Sequence, residues 1–479
     1  MRLTYRLGLA GTGVAAALVL PGHAQPPVWR FHADHVLGTS LDMAVVTKDP
    51  LAAALAMGAA RGEISRLDAI LSAWRGDSEL ARANKAAEHS ASPDLFAVIA
   101  ACEEWRLKSS GAFSGRLGRL LAGCTGPDAA ISAASTALLL DPVTRRITRP
   151  DPVVFAVDGL AKGYVIDRAI EAASCVPGVE GIMLDIGGDL RCRGKAPNGQ
   201  GWRIGIVDAR NPYDNAPSRS HVLLNDMAAA TTGRSPRNHA ILSPRNGMVA
   251  THAAYATAIA ASAMDADALA TVFSVLPPHE SLALADRLPD VAAHIVANDG
   301  TVHASSRWRN LCAETPPRRL AEAAPAAGTA WPPGFSLLID YELPKIATGS
   351  YHSPVVAIWI TDENKRLVRS LLILGYQNRY REEAYVYWLR FGRQNVELAD
   401  SITRPTRPPG RYTIRWDGLD NDGKKVPQGK YTLNIEAARE KGGHSVQRLE
   451  LDLGPNGAVV EAAPADEIRK VRATYGRGT

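Results

Sequence analysis

The sequence predicts two domains, an α+β domain followed by an all-β sandwich. Residues 26 to about 312 alternate helical and strand-like stretches, whereas the region beyond 334 contains short strand-forming runs separated by turns. Between these regions, residues 313–334 are rich in Pro and Ala, which is typical of a linker. The length of 479 residues is consistent with this division, since domains commonly take roughly 100–200 residues each.

Composition and charge exclude several classes of protein. Apolar residues make up 46% of the chain and charged residues 22%, which excludes a disordered, collagen-like or multi-span membrane protein. The net charge of +5 is too small and too scattered to indicate nucleic-acid binding. The five cysteines, at positions 102, 124, 175, 192 and 312, form no C-x-x-C pair, so one or two disulfides and free thiols both remain open.

The N-terminus has the pattern of a secretory signal peptide. Arg2 and Arg6 precede an apolar stretch, and small residues lead to a cleavage site after Ala24. The apolar stretch is shorter than the roughly 20 residues that a membrane-spanning helix needs. We therefore expect residues 1–24 to be removed on export to the periplasm, with no transmembrane span in the mature chain. A buried N-terminal helix is the alternative.

Local patterns define the elements of the first domain, residues 25–312. Apolar residues at helical spacing predict a helix over Pro93–Ser109. Residues Ile182–Ile186 and Arg203–Val207 are bounded by turn residues and predict strands. A small-residue strand is predicted over Ala253–Ser262, with a helix following from about Asp265.

The second domain, residues 335–460, has the pattern of short strands and turns that is typical of a small β-sandwich. The turn-forming residues Asp420–Gly423 lie between two strand-forming runs and predict a tight turn. Residues 461–479 are charged, and we expect a frayed tail there. The strand-forming runs are Val355–Ile360, Ser370–Leu374, Tyr385–Leu389, Tyr412–Trp416 and Tyr431–Ala437.

One motif at a strand-to-helix junction has the spacing of a metal site. Asp267 and Thr271 are four residues apart, so on a helix they lie on one face about one turn apart. A carboxylate and a hydroxyl so placed can both bind a hard cation such as Mg²⁺. The alternative is structural, because an Asp near the start of a helix commonly caps it.

Two glycine-containing motifs could approach a ligand. Lys162 stands between Gly159 and Gly163, where it suits a phosphate, although the spacing is not that of a Walker loop. Its alternative is a strand-to-helix turn with a solvated lysine. Gly187 and Gly188 follow a strand and permit either close ligand contact or a plain hairpin.

Two further segments carry candidate binding or catalytic side chains. Trp74 could stack on an aromatic ring and Arg75 could contact phosphate, while the alternative is a core tryptophan followed by a helix cap at Ser78. His239 is a candidate general base, and its alternative is an ordinary turn histidine.

The order of these motifs resembles that of the ApbE family of FAD:protein FMN transferases, which are exported flavin-handling enzymes. The resemblance runs from about His35 to about Ser306. It is most specific in the blocks that contain Lys162, the double glycine and Asp267. The matching blocks are His35–Thr39, Leu71–Asn84, Ser110–Phe113, Leu160–Tyr164 with Asp167, Ile186–Asp189 and Ala266–Thr271.

The resemblance implies an activity and a set of site residues. In this family Mg²⁺ lies on the pyrophosphate of bound FAD, a threonine of a target protein attacks the FMN phosphorus, and AMP leaves. By resemblance, Asp267, Thr271 and the backbone carbonyl of Gly159 would hold Mg²⁺. His239 stays the candidate catalytic residue on its own chemistry. The residues expected to contact FAD or form the wall of its flavin pocket are Leu37, Trp74, Gly111, Ala112, Phe113 and Lys162.

Three positions depart from the family pattern. Ala156 stands where the family often has Asp, Ser114 replaces the Asp after Gly-Ala-Phe, and the family histidine falls on Ala240, one place from His239. Two alternatives to the transferase therefore stay open. One is an FAD pyrophosphatase that gives FMN and AMP, and the other is a non-catalytic flavin-binding or assembly protein.

The second domain resembles a domain of unknown function that is attached to some members of this family. Residues 416–431 are also similar to the immunoglobulin-like hairpin of flagellar hook-capping proteins. The resemblance implies an immunoglobulin-like sandwich that serves as a binding or docking module.

Overall fold

A computed structural model describes most of both regions of the chain. The predicted signal segment, Cys124, His239 and Ala240 lie outside the described residues. Within the described part of the chain, no helix is long and apolar enough to cross a bilayer. Cys102, Cys175, Cys192 and Cys312 are free thiols. The described residues are 27–121, 136–151, 153–197, 199–206, 213, 215–216, 220–233, 241–313, 328–346, 353–375, 383–439 and 442–477.

The first domain is built on a large antiparallel sheet. Its strands in chain order are β1 (Val28–Val36), β2 (Thr39–Val46), β3 (Glu88–Ser90), β4 (Leu139–Asp141), β5 (Arg146–Thr148), β6 (Gly181–Ile186), β7 (Asp189–Gly194), β8 (Trp202–Ile206), β9 (Ser220–Leu224), β10 (Ala228–Gly233), β11 (Ala253–Ala260), β12 (Ala292–Ala297), β13 (Val302–Ala304) and β14 (Cys312–Ala313). Eight of them form the large sheet, in the order β1-β2-β6-β7-β10-β11-β12-β13. Two three-stranded sheets, β14-β9-β8 and β3-β5-β4, accompany it.

Helices pack on the large sheet, most of them on one face. They are α1 (Pro50–Leu71), α2 (Glu79–Ala83), α3 (Pro93–Lys108), α4 (Gly118–Leu121), α5 (Asp158–Ser174), α6 (Ala263–Val275), α7 (Pro278–Arg287) and α8 (Ser306–Leu311). Side chains alternate between the faces of a strand, so Met43 packs in the core under α1, α3, α5 and α6. Ala44 faces the other way and packs with Trp202 and Trp308. The helices predicted at Pro93 and near Asp265, and the strands predicted at Ile182, Arg203 and Ala253, are confirmed.

The second domain is a β-sandwich, as predicted. Its strands are β15 (Phe335–Leu343), β16 (Val355–Asp362), β17 (Leu367–Leu374), β18 (Thr403–Arg404), β19 (Gly410–Trp416), β20 (Gly429–Ala438), β21 (His444–Leu453), β22 (Ala458–Ala462) and β23 (Val471–Arg477). They form one sheet in the order β19-β15-β23-β22 and another in the order β18-β17-β16-β20-β21. Side chains from both sheets, including Ile339 and Ile358, share one core. Helices α9 (Tyr385–Arg390) and α10 (Val396–Ile402) and the 3-10 turn Gly392–Gln394 complete the domain.

The strand predicted over Tyr385–Leu389 is wrong, because these residues form helix α9. Tyr387 and Phe391 lie four residues apart and both pack with Trp359 on the outer face of the five-stranded sheet. The buried carboxylate of Glu436 accepts hydrogen bonds from the backbone N–H groups of Val386 and Tyr387 at 2.9 and 2.8 Å. This distant carboxylate satisfies the first turn of the helix, which local strand propensity could not reveal.

The frayed tail predicted beyond residue 460 is also wrong over most of its length. Strand β23 lies between β15 and β22, and Val471, Ala473 and Tyr475 alternate into the core. The end of the predicted linker packs on the same core, since the Trp331 ring lies edge-on to Trp416 at 5.1 Å. The sandwich domain therefore includes residues before residue 335 and after residue 460, outside its predicted bounds.

Candidate functional site

Helices α5 and α6 approach each other most closely at Gly163. A β-carbon built on Gly163 would lie 2.2 Å from the carbonyl oxygen of Ala263, so only glycine fits there. The backbone N–H of Gly163 donates to Asp267 Oδ2 at 3.1 Å. The glycine after Lys162 thus brings the first turns of α5 against the face of α6 that carries Asp267.

Other residues than Asp267 cap helix α6. Ser262 Oγ accepts a hydrogen bond from the Asp265 N–H at 3.1 Å and donates one to Asp265 Oδ2 at 2.6 Å. Ser262 is therefore the N-cap residue of α6, and Asp265 also accepts the indole N–H of Trp105 at 3.0 Å. Ser262 therefore takes the capping role that the structural alternative gave to an aspartate, and Asp267 has no capping role.

Asp167 adds a second support at the same helix end. Its carboxylate accepts hydrogen bonds from the Ala263 and Met264 N–H groups at 2.8 and 2.9 Å and from Arg191 Nη1 at 2.7 Å. The Asp of the Lys162 block therefore fixes α6 against α5. Its spacing from Lys162 gave no sign of this role.

Gly159, Asp267 and Thr271 converge where the two helices face each other. A β-carbon on Gly159 would lie 3.7 Å from Thr271 Oγ1 and 2.9 Å from Phe113 Cε2. Asp267 is buried one helical turn before Thr271, on the same face of α6. A carboxylate, a hydroxyl and a nearby backbone carbonyl suit Mg²⁺, which prefers oxygen ligands. In proteins this ion usually keeps several of its coordination positions for water or phosphate oxygens. Among the described residues, no group of three or more His, Cys, Asp or Glu side chains could hold a metal ion. The donor set proposed here contains only one such side chain, Asp267.

The charges around Lys162 also favour a cation. Lys162 Nζ lies 2.5 Å from the buried carboxylate of Asp189. Burial alone would lower the pKa of Lys162, but Asp189 and Asp267 outweigh it and raise the pKa, so this side chain stays charged. Burial, with the nearby charge of Asp189, raises the pKa of Asp267 well above its usual range. The carboxylates outnumber the lysine, and a divalent cation would relieve this excess of negative charge.

Two tight turns lie side by side next to Lys162 and its partner. Gly187 and Gly188 have φ values of +63° and +94°, so the double glycine forms the hairpin turn between β6 and β7. A β-carbon on Gly187 would lie 2.6 Å from Thr39 Cγ2, at the turn that joins β1 to β2. Leu37 lies in that second turn with φ +49° and packs against the core. Its contact with FAD stays a prediction.

The segment predicted to form the flavin wall reaches Gly159 through a left-handed turn. Ser110 and Gly111 have φ values of +51° and +81°, and this turn ends α3 and directs the chain into the core. Ala112 and Phe113 are buried, with the Phe113 ring against Gly159. Arg245 clamps the turn, since its guanidinium donates to the Ser110 carbonyl at 3.2 Å. The sequence alone assigned no role to Arg245.

Trp74 stands on the surface, so the alternative of a core tryptophan is wrong. Its side chain is 89% exposed in the loop between α1 and α2, and Ser78 caps α2 by accepting the Ala81 N–H. Arg75 pairs with Asp77 at 3.0 Å and with Asp68 at 3.5 Å, so its expected contact with phosphate would require exchanging these partners.

Replacing Trp74 with alanine should weaken FAD binding by about tenfold, because stacking on an aromatic ring contributes about 1–3 kcal/mol. The midpoint of urea unfolding should stay within error, since an exposed ring contributes little to the core. Titration of the protein with FAD, followed by flavin fluorescence, measures the first effect. Replacement with phenylalanine should restore most of the affinity, and unchanged affinity in the alanine variant would remove Trp74 from the site.

Comparison with known proteins identifies the family. Residues 37–295 match the ApbE family. The chain belongs to the ApbE family. Relatives of this ApbE-family chain include an FAD:protein FMN transferase of Treponema pallidum, 28% identical over 321 residues, which cover 57% of this chain and 86% of the relative. A second, from Klebsiella pneumoniae, is 24% identical over 296 residues, covering 55% and 83% of the two chains.

Solved structures agree with the ApbE assignment. The apo form of the flavinyl transferase ApbE of Pseudomonas stutzeri aligns with a TM-score of 0.52 and 26% identity, covering 60% of this chain and 99% of that chain. The fold of an ApbE protein of Thermotoga maritima aligns equally well, at 23% identity. Outside the ApbE region, residues 336–470 match DUF2271, a family described as a predicted periplasmic protein.

Proposed function

We propose that this ApbE-family chain transfers FMN from FAD to a threonine of an exported target protein in a Mg²⁺-dependent reaction that releases AMP. The convergence of Asp267, Thr271 and Gly159 beside the Lys162–Asp189 pair carries the proposal. The transferases named among the relatives support the reaction class. The DUF2271 match and the signal-peptide pattern support export to the periplasm.

Phosphoryl-group transfer of this kind depends on alignment and on charge neutralisation. The target threonine oxygen forms a bond to the FMN phosphorus, the P–O bond of the pyrophosphate breaks, and the bridging oxygen leaves with AMP. When bound, Mg²⁺ would supply charge neutralisation on the pyrophosphate, held by Asp267, Thr271 and the Gly159 carbonyl. Lys162, fixed by Asp189, would contribute a permanent positive charge beside the same phosphates.

The remaining site residues would position the flavin and the nucleophile. Phe113, buried against Gly159, would form a rigid apolar wall, and Trp74 would stack from the exposed side. His239 stays the candidate base that accepts the proton of the threonine hydroxyl. Ser114 Oγ accepts the Arg116 N–H at 3.3 Å, so the position where the family has Asp stabilises a local turn here.

The decisive experiment measures covalent labelling by the full chain. The chain is incubated with FAD, Mg²⁺ and a protein that a characterised ApbE-family transferase labels, and flavin fluorescence is read on a denaturing gel. We expect labelling that disappears with EDTA, returns with added Mg²⁺, and fails on the acceptor's Thr→Ala form. The characterised transferase serves as the positive control.

The same experiment separates the two alternatives. Free FMN and AMP formed without an acceptor would indicate a pyrophosphatase. Tight FAD binding with no turnover would indicate a flavin-binding or assembly protein. Either result, with the positive control active, would overturn the transfer reaction.

A further inference from the structure

A row of three polar side chains crosses one face of the large sheet. His32 on β1 lies opposite Asp42 on β2, and Asp42 lies opposite Asp185 on β6. His32 Nδ1 is hydrogen-bonded to Asp42 Oδ1 at 2.9 Å. On the same face of β2, the residues that follow Asp42 alternately are the buried Ala44 and Val46, so the polar row interrupts an otherwise apolar surface.

Two carboxylates directly opposite each other in a sheet are an unfavourable arrangement, because like charges on paired residues repel. Asp185 shows the effect. Burial is the main cause that raises its pKa, to about 7. The Gly188 N–H and Lys162 lower the pKa, and the charges of Asp42 and Asp189 raise it further. The hydrogen bond from His32 offsets part of the charge on Asp42 and so bears on Asp185.

Thr406 of the second domain extends this row of three side chains. His32 Nε2 is hydrogen-bonded to Thr406 Oγ1 at 2.9 Å, and the side chain of His32 is almost fully buried. Thr406 is itself buried and lies in the segment between β18 and β19. Both ring nitrogens of His32 are therefore held, one by each domain.

The other end of the row reaches the candidate site. Asp185 Oδ1 accepts the Gly188 N–H at 2.8 Å, which places the carboxylate under the double-glycine turn. The charged groups that act on Asp185 are Asp42 from β2, Asp189 from β7 and Lys162 from α5. Lys162 and Asp189 are the ion pair of the proposed site.

We propose that the sandwich domain is a positioning element of the flavin site, acting through the chain Thr406–His32–Asp42–Asp185 on the turn at Gly187 and Gly188. Docking of the second domain orients the His32 ring, the ring fixes Asp42, and Asp42 sets the charge of the carboxylate beneath the turn. Thr406 is a positioning residue, since it acts through His32. This inference rests on the proposed function for its effect on FMN transfer.

Two substitutions should shift the titration midpoint of Asp185 in opposite directions. Thr406→Val keeps the shape of the side chain but removes the hydroxyl that is hydrogen-bonded to His32. Without this partner the His32 ring holds Asp42 less firmly, so the negative charge of Asp42 acts more strongly on Asp185. Asp42→Asn removes that charge. We expect the titration midpoint of Asp185 to rise by a few tenths of a pH unit in the first variant and to fall by about one unit in the second.

The experiment titrates the full chain labelled with ¹³C at aspartate carboxyls, with the Asp185 signal assigned by its loss in Asp185→Asn. Thr406→Ser should restore the native midpoint. Asn215→Ala is the matched control, because Asn215 makes another contact between the domains, bonding the backbone of Arg415 at 2.7 and 3.0 Å, outside the polar row. The control should leave the midpoint unchanged.

Equal midpoints in all variants would overturn the proposal, as would a shift in Asn215→Ala equal to that in Thr406→Val. The acid limb of the pH profile for FMN transfer should follow the Asp185 midpoint in each active variant. Because the carboxyl titration needs no FAD and no acceptor, an inactive wild-type chain would count against the transferase and leave the coupling testable.

Discussion

Replacing Asp267 with asparagine is expected to abolish Mg²⁺-dependent FMN transfer while leaving the fold intact. Asparagine keeps the shape of the side chain but loses the charge that a divalent cation requires. We expect kcat/KM to fall by about 10³-fold or more, equivalent to about 4 kcal/mol of transition-state stabilisation. Gel fluorescence over a series of FAD concentrations measures this loss.

The stability of the metal-free variant should stay equal or increase above neutral pH. The pKa of Asp267 is raised in the folded chain, mainly by burial, so its contribution to stability is present at low pH and is lost as pH rises through the folded value. Asparagine cannot ionise and avoids this loss. Urea unfolding at pH 8 in EDTA measures the difference.

Asp265 is the matched control for Asp267, two residues away on the same helix. The Asp265 carboxylate accepts hydrogen bonds from the capping residue Ser262 and from Trp105, so Asp265→Asn should lower the free energy of unfolding by roughly 0.5–2 kcal/mol and retain transfer. If Asp267→Asn instead lost stability in this way and kept its transfer activity, Asp267 would be a structural residue and the metal site would have to lie elsewhere.

Replacing Gly163 with alanine should both destabilise the chain and remove its activity. The new methyl group would lie 2.2 Å from the Ala263 carbonyl oxygen, so α5 and α6 must separate. Overpacking of this kind costs about 1–3 kcal/mol, and a backbone neighbour has little room to yield. Separation would also break the bond from the Gly163 N–H to Asp267 and pull Gly159 away from Thr271.

Gly62→Ala provides the control for this substitution. Gly62 lies in the middle of α1 and a β-carbon there meets nothing within 4 Å, so alanine should raise stability by about 0.5–1 kcal/mol through helix propensity alone. Thermal unfolding and FAD binding are measured for both variants. Native FAD affinity in Gly163→Ala would show that the close approach of the two helices is not needed for the site.

Local patterns in the sequence predicted much of the architecture, because alternation and helical spacing report directly which face of an element is buried. The strand that ends at the double glycine and the helix that carries Asp267 belong to this group. The strand prediction for the aromatic run at Tyr385 was wrong because this segment forms a helix that depends on the carboxylate of Glu436, about fifty residues away. The prediction missed the terminal strand β23 because the charged segment before it obscured the buried alternation of Val471, Ala473 and Tyr475.

The sequence by itself determined the kinds of side chain and their spacing along the chain: an oxygen pair at Asp267 and Thr271, a lysine between glycines, and a double-glycine turn. Only the tertiary structure decided which of them meet. It assigned helix capping to Ser262 and Asp167 and paired Lys162 with Asp189. It also joined Thr406 to the row of His32, Asp42 and Asp185. The physical reason is that burial, charge pairing and close approach are properties of neighbours in space, whereas sequence spacing fixes only neighbours within one helix or strand.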